Sequence, residues 1–217
     1  MSDATRSPLI AVLDYGIGNL HSAQKALGSC GADARLTTDA GLVADADGVV
    51  LPGVGAFGAC MNALRTAGLE APALAAADSG RPFLGICVGM QMLFDRSEED
   101  ERSAGLGVIP GTVVRIPLSS SREPVKVPQM QWNRLDITQS DPMFAGLGDD
   151  DWFYFVHSLH GVPEHEATTV ATVEYGTTLN AVFRSANVFA VQFHPEKSGI
   201  SGLRLLSNFA ATCGGIL

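Results

Sequence analysis

Three observations in the 217-residue sequence predict an α/β fold, with a mixed, mostly parallel central sheet flanked by helices and added antiparallel strands in the second half. Short apolar runs alternate with helix-period segments through the first half, the order expected of parallel strands joined by crossover helices. After about Gly105 the texture changes to β-branched segments separated by Gly, Pro and Ser. Hydrophobic residues make up 46% of the chain against 17% charged, enough for one sizeable core and too apolar for a disordered chain.

In chain order, LIAVLDYG (Leu9 to Gly16) reads as a strand, because its apolar run is continuous and too short for a buried helix. An amphipathic helix follows near Asn19 to Cys30. DGVVLPG (Asp47 to Gly53) is a further strand, ACMNALRTAG and LEAPALAAADSG are helical, and PFLGI is another strand. Beyond Gly105, GTVVRIP, DWFYFVHS, TTVATVEY, NAVFR and VFAVQFH read as strands that extend the same sheet, closed by a helix at Gly202 to Thr212. SEEDERSAG and PLSSSREP are the most loop-like stretches. No Pro/Ser/Gly linker divides the halves, so one domain over residues 1–217 is expected, with residues 1–7 as a flexible N-terminal tail.

The formal net charge is −9 and no Lys/Arg cluster exists, so the electrostatic footprint of a nucleic-acid binder is absent. No run approaches the roughly 18 apolar residues of a membrane span, and MSDATRSPL lacks the basic-then-apolar order of a signal peptide, so a cytoplasmic address is expected. Cys30, Cys60, Cys87 and Cys213 are dispersed without a CxxC pair, which argues for reduced thiols rather than a disulfide framework or zinc ribbon. No His/Cys/carboxylate group has ligand spacing, so neither a metal nor a cofactor is expected.

In PFLGICVGMQMLF, Cys87 falls where a buried strand turns into a helix, with Gly85 and Gly89 two residues away on either side. A nucleophile at such a turn is exposed, and the following backbone N–H groups favour a thiolate. Alone, this G-x-C-x-G pattern fits a buried structural thiol equally well. A free cysteine titrates near 8.5, so a catalytic one needs a base. His194 in VFAVQFHPEKS ends an apolar strand, and residues two apart on a strand share a side, so Glu196 can orient its imidazole. His157 in YFVHS is a rival base without a carboxylate at comparable spacing, while His21 and His165 read as surface residues. For an oxyanion, the glycine-rich LPGVGAFG loop and the elbow offer the N–H groups of Val54 and Val88. That loop also reads as an ordinary βα connection or a phosphate cradle, although neither it nor DYGIGNL matches the P-loop or G-x-G-x-x-G pattern.

The blocks GICVGMQ and FHPE resemble those of class I (triad) glutamine amidotransferases, in the same order along the chain. DYGIGNL, LPGVGAF, GMQMLFDRSEE, GLGVIPGTVVR, QMQWN, YFVHS and FHPEKS…GLRLLSNF are similar to the glutaminase subunits of imidazole glycerol phosphate synthases, over nearly the whole chain. The resemblance implies that Cys87 attacks the glutamine side-chain amide, His194 moves the proton and Glu196 holds His194. It further implies glutamine contacts at Gly53, Gln91, Glu98, His157 and Ser158, and a heterodimer with a cyclase barrel subunit that receives ammonia in histidine biosynthesis. Asn19, Trp132, Asn133, Tyr154 and Lys197 are the implied partner-facing residues. Two departures stand out: the family's P-H-M-G-W-N stretch is Pro128, Gln129, Met130, Gln131, Trp132, Asn133 here, and Leu159 stands where an aromatic is usual. Read from the residues alone, a glutaminase feeding another synthase, a non-catalytic α/β subunit and a cysteine peptidase or hydrolase remain alternatives.

Overall fold

A computed structural model of the chain describes residues 6–118 and 125–215. Most of the expected N-terminal tail and of the PLSSSREP loop lies outside the described residues, while Arg6 and Ser7 are exposed coil. The first half alternates as the pattern predicts: β1 (Leu9–Leu13), α1 (Leu20–Ser29), β2 (Asp33–Thr37), α2 (Ala40–Asp45), β3 (Gly48–Gly53), α3 (Phe57–Thr66), α4 (Glu70–Asp78) and β4 (Phe83–Cys87). A one-turn helix α5 (Val88–Gln91) follows, then β5 (Phe94–Ser97), β6 (Ile109–Arg115), β7 (Gln129–Arg134), β8 (Asp136–Ile137), β9 (Trp152–His157), β10 (Leu159–Pro163), β11 (Thr169–Glu174), β12 (Thr178–Ser185), β13 (Val188–Val191) and α6 (Gly199–Cys213).

The main sheet has eight strands in the order β2-β1-β3-β4-β13-β12-β11-β8. Pairings from β2 through β13 are parallel, and those from β13 through β8 are antiparallel. β3, β4 and β13 are buried at every residue, which is why their sequences are unbroken apolar runs instead of alternating ones. Strand β2 is the edge, and its partly exposed DARLT carries too little apolar pattern to stand out in the sequence.

The second half does not extend one sheet, as the sequence suggests. Among the described residues of this half, only β8, β11, β12 and β13 join the main sheet; β10, β6 and β5 form a separate three-stranded sheet, and β7 with β9 an antiparallel ribbon. The reason is packing of one face at a time. In β9 the inward residues Phe153 and Phe155 meet Phe193, with ring centroids 4.4 and 5.5 Å apart, while Phe94 of β5 meets Phe183 of the main sheet at 5.2 Å. The two small sheets therefore dock by aromatic contacts on the flank of the large one. Phe193 immediately precedes His194, so the ribbon is fastened next to the histidine singled out in the sequence.

Candidate active site

The site is assembled where β4, β13 and the β7–β9 ribbon meet. Cys87 ends β4 with φ 54° and ψ −114°, a left-handed conformation that costs a non-glycine residue about 1–3 kcal/mol. Its neighbours enforce it. A Cβ on Gly85 would stand 2.8 Å from Leu93 Cδ1 and 3.0 Å from Met90 Cα, and one on Gly89 would run into the Leu51 carbonyl oxygen of β3. Both glycines are thus required for close approach. The helix after the elbow is a single turn, so it offers the N–H groups next to Cys87 more than a macrodipole.

His194 lies just past β13, at the start of a 3-10 turn over Pro195–Lys197. Its Nδ1 is 2.8 Å from Glu196 Oε1, and both side chains are 2% exposed. The His194 N–H donates to the Tyr154 carbonyl at 3.0 Å. Ser198 Oγ donates to the His194 carbonyl at 2.6 Å and accepts the Tyr154 N–H at 2.9 Å. Burial opposes a charge on the imidazole, but hydrogen bonding to Cys87 and to Glu196 outweighs it and pushes the His194 pKa up to about 9. The imidazole thus carries its proton across neutral pH.

Cys87, Val88, Gln91, Glu99, His157, Ser158 and His194 line one cleft of about 530 Å³ together with Asn19, Val54, Gly55 and Lys197. The cleft brings together most of the residues expected to bind substrate, with two differences. Gly53 lies beneath it, where a Cβ would be 2.6 Å from Gly89 N and 2.9 Å from Tyr15 Oη. Glu98 is turned away and accepts the Arg115 N–H at 2.9 Å; the carboxylate on the cleft is Glu99, whose Oε2 accepts the Phe57 N–H at 2.6 Å. Adjacent acidic residues at a strand end alternate sides, so composition alone does not choose between them.

His157 is not placed as a base. Burial, only partly offset by its bond to the Leu159 carbonyl, pushes its pKa down to about 4. Nδ1 is 2.7 Å from that carbonyl, which can only accept, so Nδ1 carries the proton and Nε2 is the acceptor. The Gln129 carboxamide lies 2.9 Å from Nε2, a pairing satisfied with its N–H turned to the ring. Gln129 is fully buried on β7 opposite His157, whereas Gln131 is exposed. The first departure in QMQWN therefore alters the cleft wall and the second the outer surface.

Among the expected partner-facing residues, Trp132 is 47% exposed and its ring meets Tyr154 edge-on at 5.9 Å. Asn133 instead donates to the Glu174 carbonyl at 2.9 Å, within the chain. Besides Glu99, a second residue at the site escapes the sequence reading. Gln192 is fully buried, with Oε1 accepting from Gln91 Nε2 at 3.1 Å and Nε2 lying 3.9 Å from Cys87 Sγ. The signal was available, since the period-two spacing that pairs His194 with Glu196 also includes residue 192.

Comparison with known proteins places this geometry. The chain is 50% identical over 203 residues to the imidazole glycerol phosphate synthase subunit HisH of Syntrophotalea carbinolica, covering 93% of this chain and 98% of that protein. It is 49% identical to the protein of the same name from Synechococcus elongatus, covering 94% and 93%. A glutamine amidotransferase structure matches with TM-score 0.71 at 21% identity, over 94% of this chain and 98% of that one. A chain of the PurLQS structure from Thermotoga maritima matches with TM-score 0.72 at 19% identity, again over 94% and 98%. At such identities the likeness speaks for the fold. The model of the family described as glutamine amidotransferase class-I matches residues 11–213, and the chain belongs to that family.

Proposed function

We propose that this chain is the glutaminase subunit of an imidazole glycerol phosphate synthase, in which Cys87, His194 and Glu196 release ammonia from glutamine for a cyclase barrel subunit. The observation that carries the reading is the elbow: a strained Cys87 facing a cleft shared with an imidazole whose other nitrogen is held by a buried carboxylate. The thiolate attacks the carboxamide carbon, and protonated His194 delivers its proton as the carbon–nitrogen bond breaks, so that ammonia leaves. Water then attacks the thioester, His194 takes its proton, and glutamate departs as the sulphur is released. The developing oxyanion is assigned to the N–H groups of Val54 and Val88.

For substrate binding, the role first expected of Glu98 passes to Glu99, which offers its free oxygen to the α-ammonium of glutamine. Gln91 and Ser158 supply polar contacts beside it, and neutral His157 shapes the wall. One lost charge-assisted contact predicts that Glu99→Gln raises KM for glutamine by about 10–100-fold with kcat little changed, because Gln still caps Phe57. Glu98→Gln is expected to change neither by more than about twofold. Steady-state glutaminase kinetics on both variants decide, and equal effects would return the role to the pair as a charged patch.

The partner face is assigned to Trp132 and Tyr154, whose rings meet, and to Lys197 and Asn19, which line the cleft, with Asn133 bracing the ribbon from within. Glutamate release is to be measured with and without the barrel subunit and its nucleotide substrate, with Cys87→Ala as control. Release confined to the full mixture and abolished in the variant is the expected result. Release at full rate by the free chain would mean that the site, the Val54 oxyanion contact included, is complete without a partner.

A further inference from the structure

The most informative polar group that the triad leaves unused is the fully buried carboxamide of Gln192. Its orientation follows from a chain of hydrogen bonds that ends on a backbone group of fixed polarity. The Leu159 carbonyl only accepts, so the Gln91 atom 3.4 Å from it is the side-chain nitrogen. That same nitrogen is 3.1 Å from Gln192, whose facing atom must be the oxygen. The other end of the Gln192 carboxamide, 3.9 Å from Cys87 Sγ, is then a nitrogen that can only donate.

We propose that Gln192 is a catalytic residue: its side-chain N–H donates to the Cys87 sulphur and favours the thiolate, with Gln91 and the Leu159 carbonyl fixing that polarity. This rests on Cys87 being the nucleophile, as proposed above. The contact discriminates between states of the sulphur. A thiolate is a strong acceptor and a thioester sulphur a poor one, so the N–H favours the resting nucleophile and again favours sulphur as it leaves the acyl carbon during hydrolysis. His194 sits on the opposite charge balance, giving up its proton in the first step and recovering one in the second. Gln192 carries no proton to lose, so its contribution persists across the pH range.

Gln192→Met keeps the volume and removes both polar ends. The probe is iodoacetamide, with alkylation of Cys87 followed by mass spectrometry from pH 5 to 10, alongside glutamate release in the complete two-subunit mixture. The expected result is a pH midpoint of alkylation displaced upward by about one unit, an alkylation rate lower by about tenfold at pH values below both midpoints, and kcat lowered by up to a similar factor with KM within about threefold. Gln91→Met, which frees the Gln192 carboxamide to rotate, should displace the midpoint in the same direction by less. Should Gln192→Met not fold, Gln192→Asn withdraws the amide by one methylene and is expected to behave alike. A wild-type midpoint and a kcat within twofold in whichever variant folds would overturn the proposal. If the midpoint moves while no protein in the mixture releases glutamate, the sulphur contact stands and the glutaminase reading falls.

Discussion

Alanine at His194 is expected to lower glutamate release by about 10⁴-fold, with the fold retained. Two steps fail together in that variant. The thiolate loses the adjacent imidazolium, and ammonia loses its proton donor at a step where an unprotonated amide anion is a very poor leaving group. The sign of the pH dependence follows from the His194 pKa. Burial opposes its charge, but the contacts to Cys87 and Glu196 raise it from 6.5 to about 9. A group whose pKa rises on folding binds its proton more tightly in the folded state, so it adds stability that is complete below about pH 6.5 and lost as pH rises through about 9. Thermal melts of the wild type and of His194→Ala should therefore lie further apart at pH 6 than at pH 9.5. At neutral pH iodoacetamide should label Cys87 more slowly in the variant than in the wild type. Labelling profiles that coincide would separate His194 from the thiol and move the search for a base elsewhere in the cleft.

What the sequence shows and what it hides divide along physical lines. β1, β3 and β4 are legible because burial on both faces leaves unbroken apolar runs, and the elbow is legible because close approach to Leu51 and Met90 tolerates only glycine at positions 89 and 85. His194 and Glu196 are legible because a strand repeats every two residues. The splitting of the second half into three sheets is not, since alternation says that Phe153 and Phe155 face inward and nothing about which sheet receives them. Helix α6 starts at Gly199, three residues before the expected Gly202, because Ser198 and the turn after Pro195 lead directly into it. Glu99 was hidden by its acidic neighbour Glu98. Gln192 was hidden by chemistry, for an amide next to a catalytic triad looks like any buried strand residue until its partners are known. The Gln129 departure, which reads as a change at the partner interface, turns out to be a fully buried contact to His157.

Gly89→Ala is expected to have the largest effect on stability and to remove activity with it. Its new methyl would occupy the place of the Leu51 carbonyl oxygen, with the Leu51 and Pro52 carbonyl carbons close behind. These are backbone atoms of β3, held between β1 and β4 in the middle of the eight-stranded sheet, so no rotamer change relieves the contact. Either β3 shifts or the elbow lifts away from it. A shift in β3 carries Gly53 and the Val54 loop with it, and a lifted elbow releases Cys87 from its strained backbone conformation; both separate the sulphur from the Val54 N–H donor. Overpacking of this kind costs about 3 kcal/mol or more, which in a chain of this size lowers the melting temperature by about 6–12 °C. Gly28→Ala supplies the opposite case. Gly28 lies in α1 with nothing within 4 Å of the place its new methyl would take, so alanine there should stabilise by about 0.5–1 kcal/mol through helix propensity and leave turnover untouched. Thermal denaturation and glutamate release on the two variants form the comparison. A Gly89→Ala protein that melts and turns over like the wild type would mean that β3 and the elbow do not need to touch, and the account of why Cys87 holds its conformation would fail with it.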